Sequence, residues 1–318
     1  MSSVRSVSTA AGVGFSLAAS ALFALMYYYA NLLTPLGSLS VYGWRMLLTF
    51  PLLTLFLLVS GQGPNIRELC VRAVARPLLW LLLPVSSFLF GIQLWLFMWA
   101  PINGHALDVS LGYFLLPLVL VLVGRLLFGE PLSHWQKAAS LLAAIGVGHE
   151  LMGASQAAWP VFMVALGFPA YYVLRRYLNT DSLAGLWLDV ALSLPVAVYF
   201  VLHAMPGAGS VEAAFHQARA FGGQILGLGV ISASGMLCMI VASQSLPMAM
   251  FGLLSYVEPL LLVVVSILIG EHIDAGRMPT YLAIWAAVTL LCAEVFWGRI
   301  RLRQRLAGAE FPSEGSPL

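Results

Sequence analysis

The chain has 318 residues, of which 61% are hydrophobic and 9% charged, with a formal net charge of +2. Soluble domains carry about 25% charged residues, so a mean hydropathy of +0.93 excludes a water-soluble globular protein and directs the reading to a bilayer. So mild a positive charge gives no reason to expect a nucleic-acid partner.

Crossing a hydrocarbon layer of roughly 30 Å takes about 20 apolar residues in a helix. Ten such runs follow one another, at 12–30, 39–60, 78–100, 107–128 and 135–151, then at 159–174, 183–203, 223–243, 248–269 and 278–297. They lack the alternation of a barrel strand, and open strands cannot satisfy their backbone in lipid, so all are expected to be helices. The first run contains Ala19-Ser20-Ala21, which has the form of a signal cleavage site. It continues to the Tyr27-Tyr28-Tyr29 cluster, as an uncleaved span would, and is expected to stay.

Lys and Arg are retained on the cytoplasmic side of a membrane. With the N-terminus inside, Arg5, Arg67, Arg72, Arg76, Arg125, Lys137, Arg175, Arg176, Arg299, Arg301, Arg303 and Arg305 fall in the cytoplasm, 12 of the 15 basic residues. Only Arg219 and Arg277 fall outside, and Arg45 lies within a span. Both termini are therefore expected to be cytoplasmic. Cys70, Cys238 and Cys292 lie in spans or a cytoplasmic loop and suggest no disulfide framework.

A repeat then emerges. Arg45 stands six residues before Pro51 in the second run, and Asp189 six before Pro195 in the seventh, with Trp44 and Trp187 close by. Pro117 precedes Gly129-Glu130, and Pro259 precedes Gly270-Glu271. All these landmarks recur at offsets of 141 to 144 residues. We read two repeats of five helices, 8–151 and 159–298, followed by a basic cytoplasmic tail, 299–318. Five is odd, so the halves enter the membrane from opposite sides. The expected fold is an all-α integral membrane bundle of ten transmembrane helices in two inverted repeats. Many secondary transporters are built this way and bind solute near the midplane where the repeats meet.

The stretch WAPINGHALDVSLGYFLLPLVLVLVGRLLFGEPLSHWQ at 99–136 resembles the RarD subgroup of EamA permeases, in the drug/metabolite transporter superfamily. The resemblance extends to Arg45, Ser110 to Phe114, Gly129-Glu130, Asp189 and Gly270-Glu271. It implies ten helices in two EamA repeats and a multi-pass bacterial inner-membrane carrier of small molecules. The subgroup usually has Asn-Trp in the third span, where this chain has Leu94-Trp95, with Gln93 one place earlier.

A charge at the bilayer centre costs roughly 2.5 to 3.5 kcal/mol even on lenient insertion scales, so buried charges mark cavities or pairs. Arg45 lies about 10 Å below the outer edge at 1.5 Å per residue. It would face a cavity and attract an anionic or carbonyl-bearing solute, or else snorkel outward or bond helix-end carbonyls as a structural residue. Asp189 is its counterpart at mirrored depth, a polar point nearer the other mouth, or a carboxylate bonded to Ser193 or Trp187. Glu258 stands near the midplane beside Pro259, where a kink is expected. It would bind and release a proton during transport, or stay protonated between helices. Asn103, His105 and Asp108 mark the outer mouth. They are too few for a convincing metal site and are read as helix-capping residues.

Tyr113, Tyr256, Trp95 and Trp44 are expected to wall the cavity, which suits an amphipathic or aromatic solute. Pro51, Pro117, Pro195 and Pro259 are the expected hinges, and Gly223-x-x-x-Gly227 and Ala144-x-x-x-Gly148 the expected close-packing faces. Lys137 has no glycine loop before it, so ATP hydrolysis through a Walker motif is excluded, and no His-Glu-x-x-His zinc motif is present. The expected function is a secondary membrane transporter, an exporter of small organic metabolites or amphipathic drugs. It is not an enzyme and uses no cofactor or metal. The proton is its candidate coupling ion, and it works as a monomer or homodimer in lipid. The alternatives are an uncoupled metabolite facilitator or exchanger, and a channel.

Overall fold

The computed structural model describes residues 9–129, 133–153, 159–203, 211–246, 250–251 and 254–309. Arg5, Glu130, Met248 and residues 310–318 of the tail lie outside them. Eleven α-helices and no strand occur among the described residues. Lipid offers no partner to a bare N–H or C=O, and a helix pairs all but its end groups internally.

The helices are α1 (Thr9–Leu32), α2 (Ser38–Val59), α3 (Gly63–Ala75), α4 (Pro77–Ile102), α5 (Ala106–Phe128) and α6 (His134–Gly153). They continue as α7 (Trp159–Leu178), α8 (Leu183–His203), α9 (Val211–Ser245), α10 (Val257–Leu268) and α11 (Met278–Ala309). Helices α1, α2, α4, α5, α8 and α9 are long and apolar enough to cross a membrane. Helices α6 and α7, at 20 residues each, are about 30 Å long. Helix α10 and the Met278–Glu294 part of α11 are shorter apolar helices.

Three segments differ from the sequence-based expectation. The connection at 61–77 is largely helical: α3 turns Leu69 inward and leaves Val71 and Val74 exposed. It stops at Arg76, whose extended φ −121°, ψ 109° follows from the proline after it. Pro77 then opens α4, at a position where a missing N–H is no loss. The connection expected at 204–222 is helical from Val211 onward and bends at Phe221 (φ −122°, ψ 16°), just before the Gly222-Gly223 pair. The ninth run does not form one kinked helix. A turn at Ser255 and Tyr256 breaks it, and α10 starts at Val257. Pro259 is thus the third residue of a helix and no interior kink, because first-turn N–H groups have no helical partner to lose. Pro51, Pro117 and Pro195 do lie inside α2, α5 and α8.

The two halves of the sequence interlock. Helix α1 packs on α9, α2 on α8, α5 on α7 and α6 on α11, while α4 reaches α7 and α8, and α10 reaches α1 and α5. Two of these crossings depend on glycine. A Cβ on Gly43 of α2 would stand 2.6 Å from the Ala197 carbonyl oxygen of α8, and one on Gly112 of α5 would stand 2.7 Å from Val164 of α7. The expected glycine faces are only partly used. A Cβ on Gly227 would meet Tyr29, but nothing lies within 4 Å of one on Gly223 or Gly148, and Gly146 makes the close approach to α11. Buried side chains form a main core around Tyr27, Leu53, Leu96 and Phe97. A second core lies between α5, α6 and α11, around Leu111, Phe114, Tyr281 and Ile284.

Candidate functional site

A cavity of about 670 Å³ lies at the centre of the bundle, walled by side chains from α1, α2 and α4 to α11. Its lining is mostly apolar and aromatic, with Phe90, Phe97, Tyr113, Phe168, Tyr172 and Tyr256 prominent. Four charged residues interrupt it: Arg45, Arg175, Glu258 and Glu294.

Arg45 is 2% exposed. Its Nε donates to Ser232 Oγ of α9 at 3.1 Å and its Nη1 to the Leu94 carbonyl of α4 at 3.3 Å. The guanidinium also rests 5.7 Å from the centre of the Phe97 ring, a cation–π distance. Tyr113 meets Phe97 edge-on at 6.0 Å and Phe168 at 5.7 Å, and Phe168 stacks on Tyr172 at 6.1 Å. A continuous aromatic strip therefore leads away from Arg45. Glu258, in the first turn of α10, faces the same cavity and makes no hydrogen bond or ion pair among the described residues.

Asp189 is 1% exposed and stands behind the wall. Tyr171 Oη donates to Asp189 Oδ2 at 2.9 Å, and Arg175 Nη1 lies 3.7 Å from the same oxygen. Arg175 is itself gripped by the carbonyls of Thr180 and Ser182 and donates to Tyr171 Oη. This cluster joins the C-terminal turn of α7 to the start of α8. Asp189 is thus neutralised by a cation of the neighbouring helix, and its partner is neither Ser193, which bonds the Val190 carbonyl, nor Trp187, which bonds Thr54.

Other expected wall residues fall elsewhere. Trp44 donates to Gln217 at 3.1 Å and borders a separate apolar crevice of about 260 Å³. Trp95 packs against Trp99 with tilted rings 5.8 Å apart and is not on the cavity wall. Tyr171, Arg175, Ser232 and Phe97 were missed as site residues. The spacing of Tyr171 and Arg175, four apart on one helical face, was the available signal; Ser232 and Phe97 carried none.

Asn103, His105 and Asp108 cluster with residues of the α10–α11 connection at one end of the bundle. Asn103 caps α4 by donating to the Trp99 carbonyl at 2.8 Å. The Glu271 carboxylate accepts the backbone N–H of Ala106 and of Leu107, each at 2.7 Å. These are unpaired groups at the N-terminus of α5, where the helix dipole also favours an anion. Asp108 bridges His105 Nδ1 at 2.7 Å and Arg277 Nη2 at 2.5 Å. Tyr27 Oη and Tyr281 Oη donate to the carbonyls of Ala106 and Leu107. Burial holds the Glu271 carboxyl above the usual carboxylate range, and the two N–H donors oppose that shift. No group of three metal-ligating side chains gathers among the described residues.

Membrane-spanning helices around a solute-sized cavity with buried charges define a multi-pass membrane transporter. A chloramphenicol-sensitive protein RarD of Pseudomonas aeruginosa is 39% identical over 297 residues, covering 93% of this chain and 97% of the relative. Uncharacterized transporters of Pasteurella multocida and Haemophilus influenzae are 37% and 36% identical. They cover 92% and 89% of this chain, and 98% and 93% of their own lengths. The chain belongs to the RarD family of membrane transporters. No protein-family model matches it.

Proposed function

We propose that the protein is a secondary carrier of the bacterial inner membrane, exporting small organic metabolites or amphipathic drugs by alternating access. One observation carries this reading: the charged cavity is walled by both halves of the sequence, and a bonded network ties the helices together at one end of the bundle. The network joins Glu271 and the Asp108–Arg277 pair to the N-terminus of α5. Gln136, Arg175 and Glu294 line the cavity towards the side that the basic residues assign to the cytoplasm.

The packing supports two inverted five-helix repeats, 8–151 and 159–298. Exchanging the halves turns the α1–α9 contact into α7–α4, α2–α9 into α8–α4, and α5–α7 into α10–α1. It returns α2–α8, α5–α10 and α6–α11 to themselves. Every one of these contacts is made. Together with the basic-residue count, this reading has both termini in the cytoplasm and the Glu271 network on the outside. Arg45, Tyr113, Tyr256 and Glu258 then hold the solute, and Glu258 is the carboxylate able to exchange it for a proton. Interior prolines at 51, 117 and 195 are the bends at which the halves rock.

The test is uptake of a panel of amino acids and amphipathic drugs into proteoliposomes, with and without an imposed pH gradient, for the parent and Glu258→Gln. Saturable counterflow is expected, with gradient-driven accumulation abolished in Glu258→Gln. Conductance without saturation would identify a channel. Saturable exchange that ignores the gradient would leave an uncoupled facilitator.

A further inference from the structure

The two cations on the cavity wall differ in what they have left to give. Arginine has five N–H donors. Arg175 commits its Nε, Nη1 and Nη2 to Thr180, Tyr171 and Ser182, beside the Asp189 carboxylate. Arg45 gives one N–H to Ser232 and one to Leu94, both neutral acceptors, and pairs with no carboxylate among the described residues. The carboxylates differ in the same way. Glu294 lies on α11 towards the cytoplasmic mouth, whereas Glu258 stands deep, where its charge and that of Arg45 act on each other across the cavity. They are not within ion-pairing distance. The aromatic strip of Phe97, Tyr113, Phe168 and Tyr172 runs beside them.

An apolar cavity lined by a guanidinium and a carboxyl group, neither ion-paired among the described residues, is incomplete. A charge removed from water needs compensation, and here the fold supplies Arg45 only neutral acceptors and a ring face, and gives Glu258 no bond among the described residues. We propose that the ligand supplies it, and that the cavity selects a zwitterion with one apolar substituent. Its carboxylate lies on the free N–H groups of Arg45, its ammonium on Glu258, and its apolar body on the aromatic strip. A ligand with one charge would satisfy one pole and leave the other bare. This inference rests on the carrier reading and gives that reading its substrate class.

The test compares L-phenylalanine with analogues that each lack one of its charges, and with two further zwitterions. The zwitterions L-phenylalanine, L-tryptophan and L-leucine are titrated into the purified protein beside 3-phenylpropionate, which lacks the ammonium, and 2-phenylethylamine, which lacks the carboxylate. At least one zwitterion is expected to bind about 10- to 100-fold more tightly than either singly charged analogue, as for loss of a hydrogen bond to a charged group. Glu258→Gln should erase the advantage over 3-phenylpropionate. Arg45→Gln, or Arg45→Lys where the former does not fold, should reduce the advantage over 2-phenylethylamine. Glu258 holds no bond in the described fold, so its variant tests the ligand without unfolding the protein. The proposal is overturned if no zwitterion binds, if a singly charged analogue binds as well, or if Glu258→Gln changes nothing. If such an analogue shows saturable transport in proteoliposomes while the zwitterions do not, only the ligand class falls. If nothing in the wider solute panel is transported, the carrier reading falls with it.

Discussion

Glu271→Gln isolates the latch on which the alternating-access reading depends. The parent carboxylate accepts two backbone N–H bonds of 2.7 Å at the N-terminus of α5. Hydrogen bonds to a charged group contribute about 1.5 to 3 kcal/mol each, a neutral one about 1. The amide keeps one acceptor oxygen and loses the charge, so the raw loss is about 2 to 5 kcal/mol. Glu271 is only half-buried, and water recovers part of this. A net weakening of about 1 to 2 kcal/mol remains, or roughly a 5- to 30-fold shift of the equilibrium toward an outward-open state. The assay uses a variant with Cys70, Cys238 and Cys292 replaced by alanine and Leu116→Cys on the cavity wall. The cysteine is labelled in intact cells with an impermeant maleimide. Glu271→Gln should raise the labelling rate from outside by about that factor, with little change in melting temperature. An unchanged rate with a lowered melting temperature would refute the reasoning and make Glu271 a purely structural cap.

Asp189→Asn should remove the only carboxylate facing Arg175 among the described residues and lower stability by about 3 kcal/mol, since one half of a buried pair is left uncompensated; thermal unfolding in detergent reads this. Gly112→Val puts side-chain atoms where Val161 and Val164 already stand, and should cost at least about 1 to 3 kcal/mol by the same measurement. Pro259→Ala should change stability by less than about 1 kcal/mol, because the first-turn N–H it restores has no helical partner. Pro117→Ala lies in a helix interior and should stiffen α5, lowering the turnover of transport more than its half-saturation concentration.

Helices were legible in the sequence because apolar length alone dictates them in lipid, and the landmarks at Arg45, Asp189, Pro117 and Pro259 are what suggest the proposed two-repeat reading. Composition could not announce α3 or the helix from Val211, since both are amphipathic or polar and owe their shape to the bundle surface. The break before α10 was hidden by the Glu-Pro pair, which reads equally as a kink or as a helix start. Within the candidate site, Arg45, Glu258, Tyr113 and Tyr256 line the cavity, but Trp44 and Trp95 turn away from it. An interfacial tryptophan and a cavity tryptophan share one composition, and only the rotation of the helix separates them. Asp189 was conspicuous as a buried charge, yet its partner Arg175 was counted among the cytoplasmic cations, because a helix-terminal arginine looks solvated until the next helix folds over it.

The two-repeat reading gives these differences a common cause. Arg45 and Asp189 stand at corresponding positions of α2 and α8, which pack on each other. A strict two-fold would give them the same surroundings. Instead Arg45 keeps free donors toward the cavity, and Asp189 is neutralised by Arg175 and Tyr171. At the other corresponding pair, α10 carries Glu258 where α5 carries the apolar Leu116, and both line the cavity. On that reading, the symmetric part of the sequence builds the helices, crossings and bends that the proposed rocking of the halves needs. The asymmetric part leaves one cation from the first half and one carboxylate from the second without partners in a single apolar space. The proposed reading therefore locates recognition where the halves differ. Substitutions that restore symmetry there, such as Glu258→Leu, should weaken zwitterion binding by about 10- to 100-fold while leaving the bundle folded.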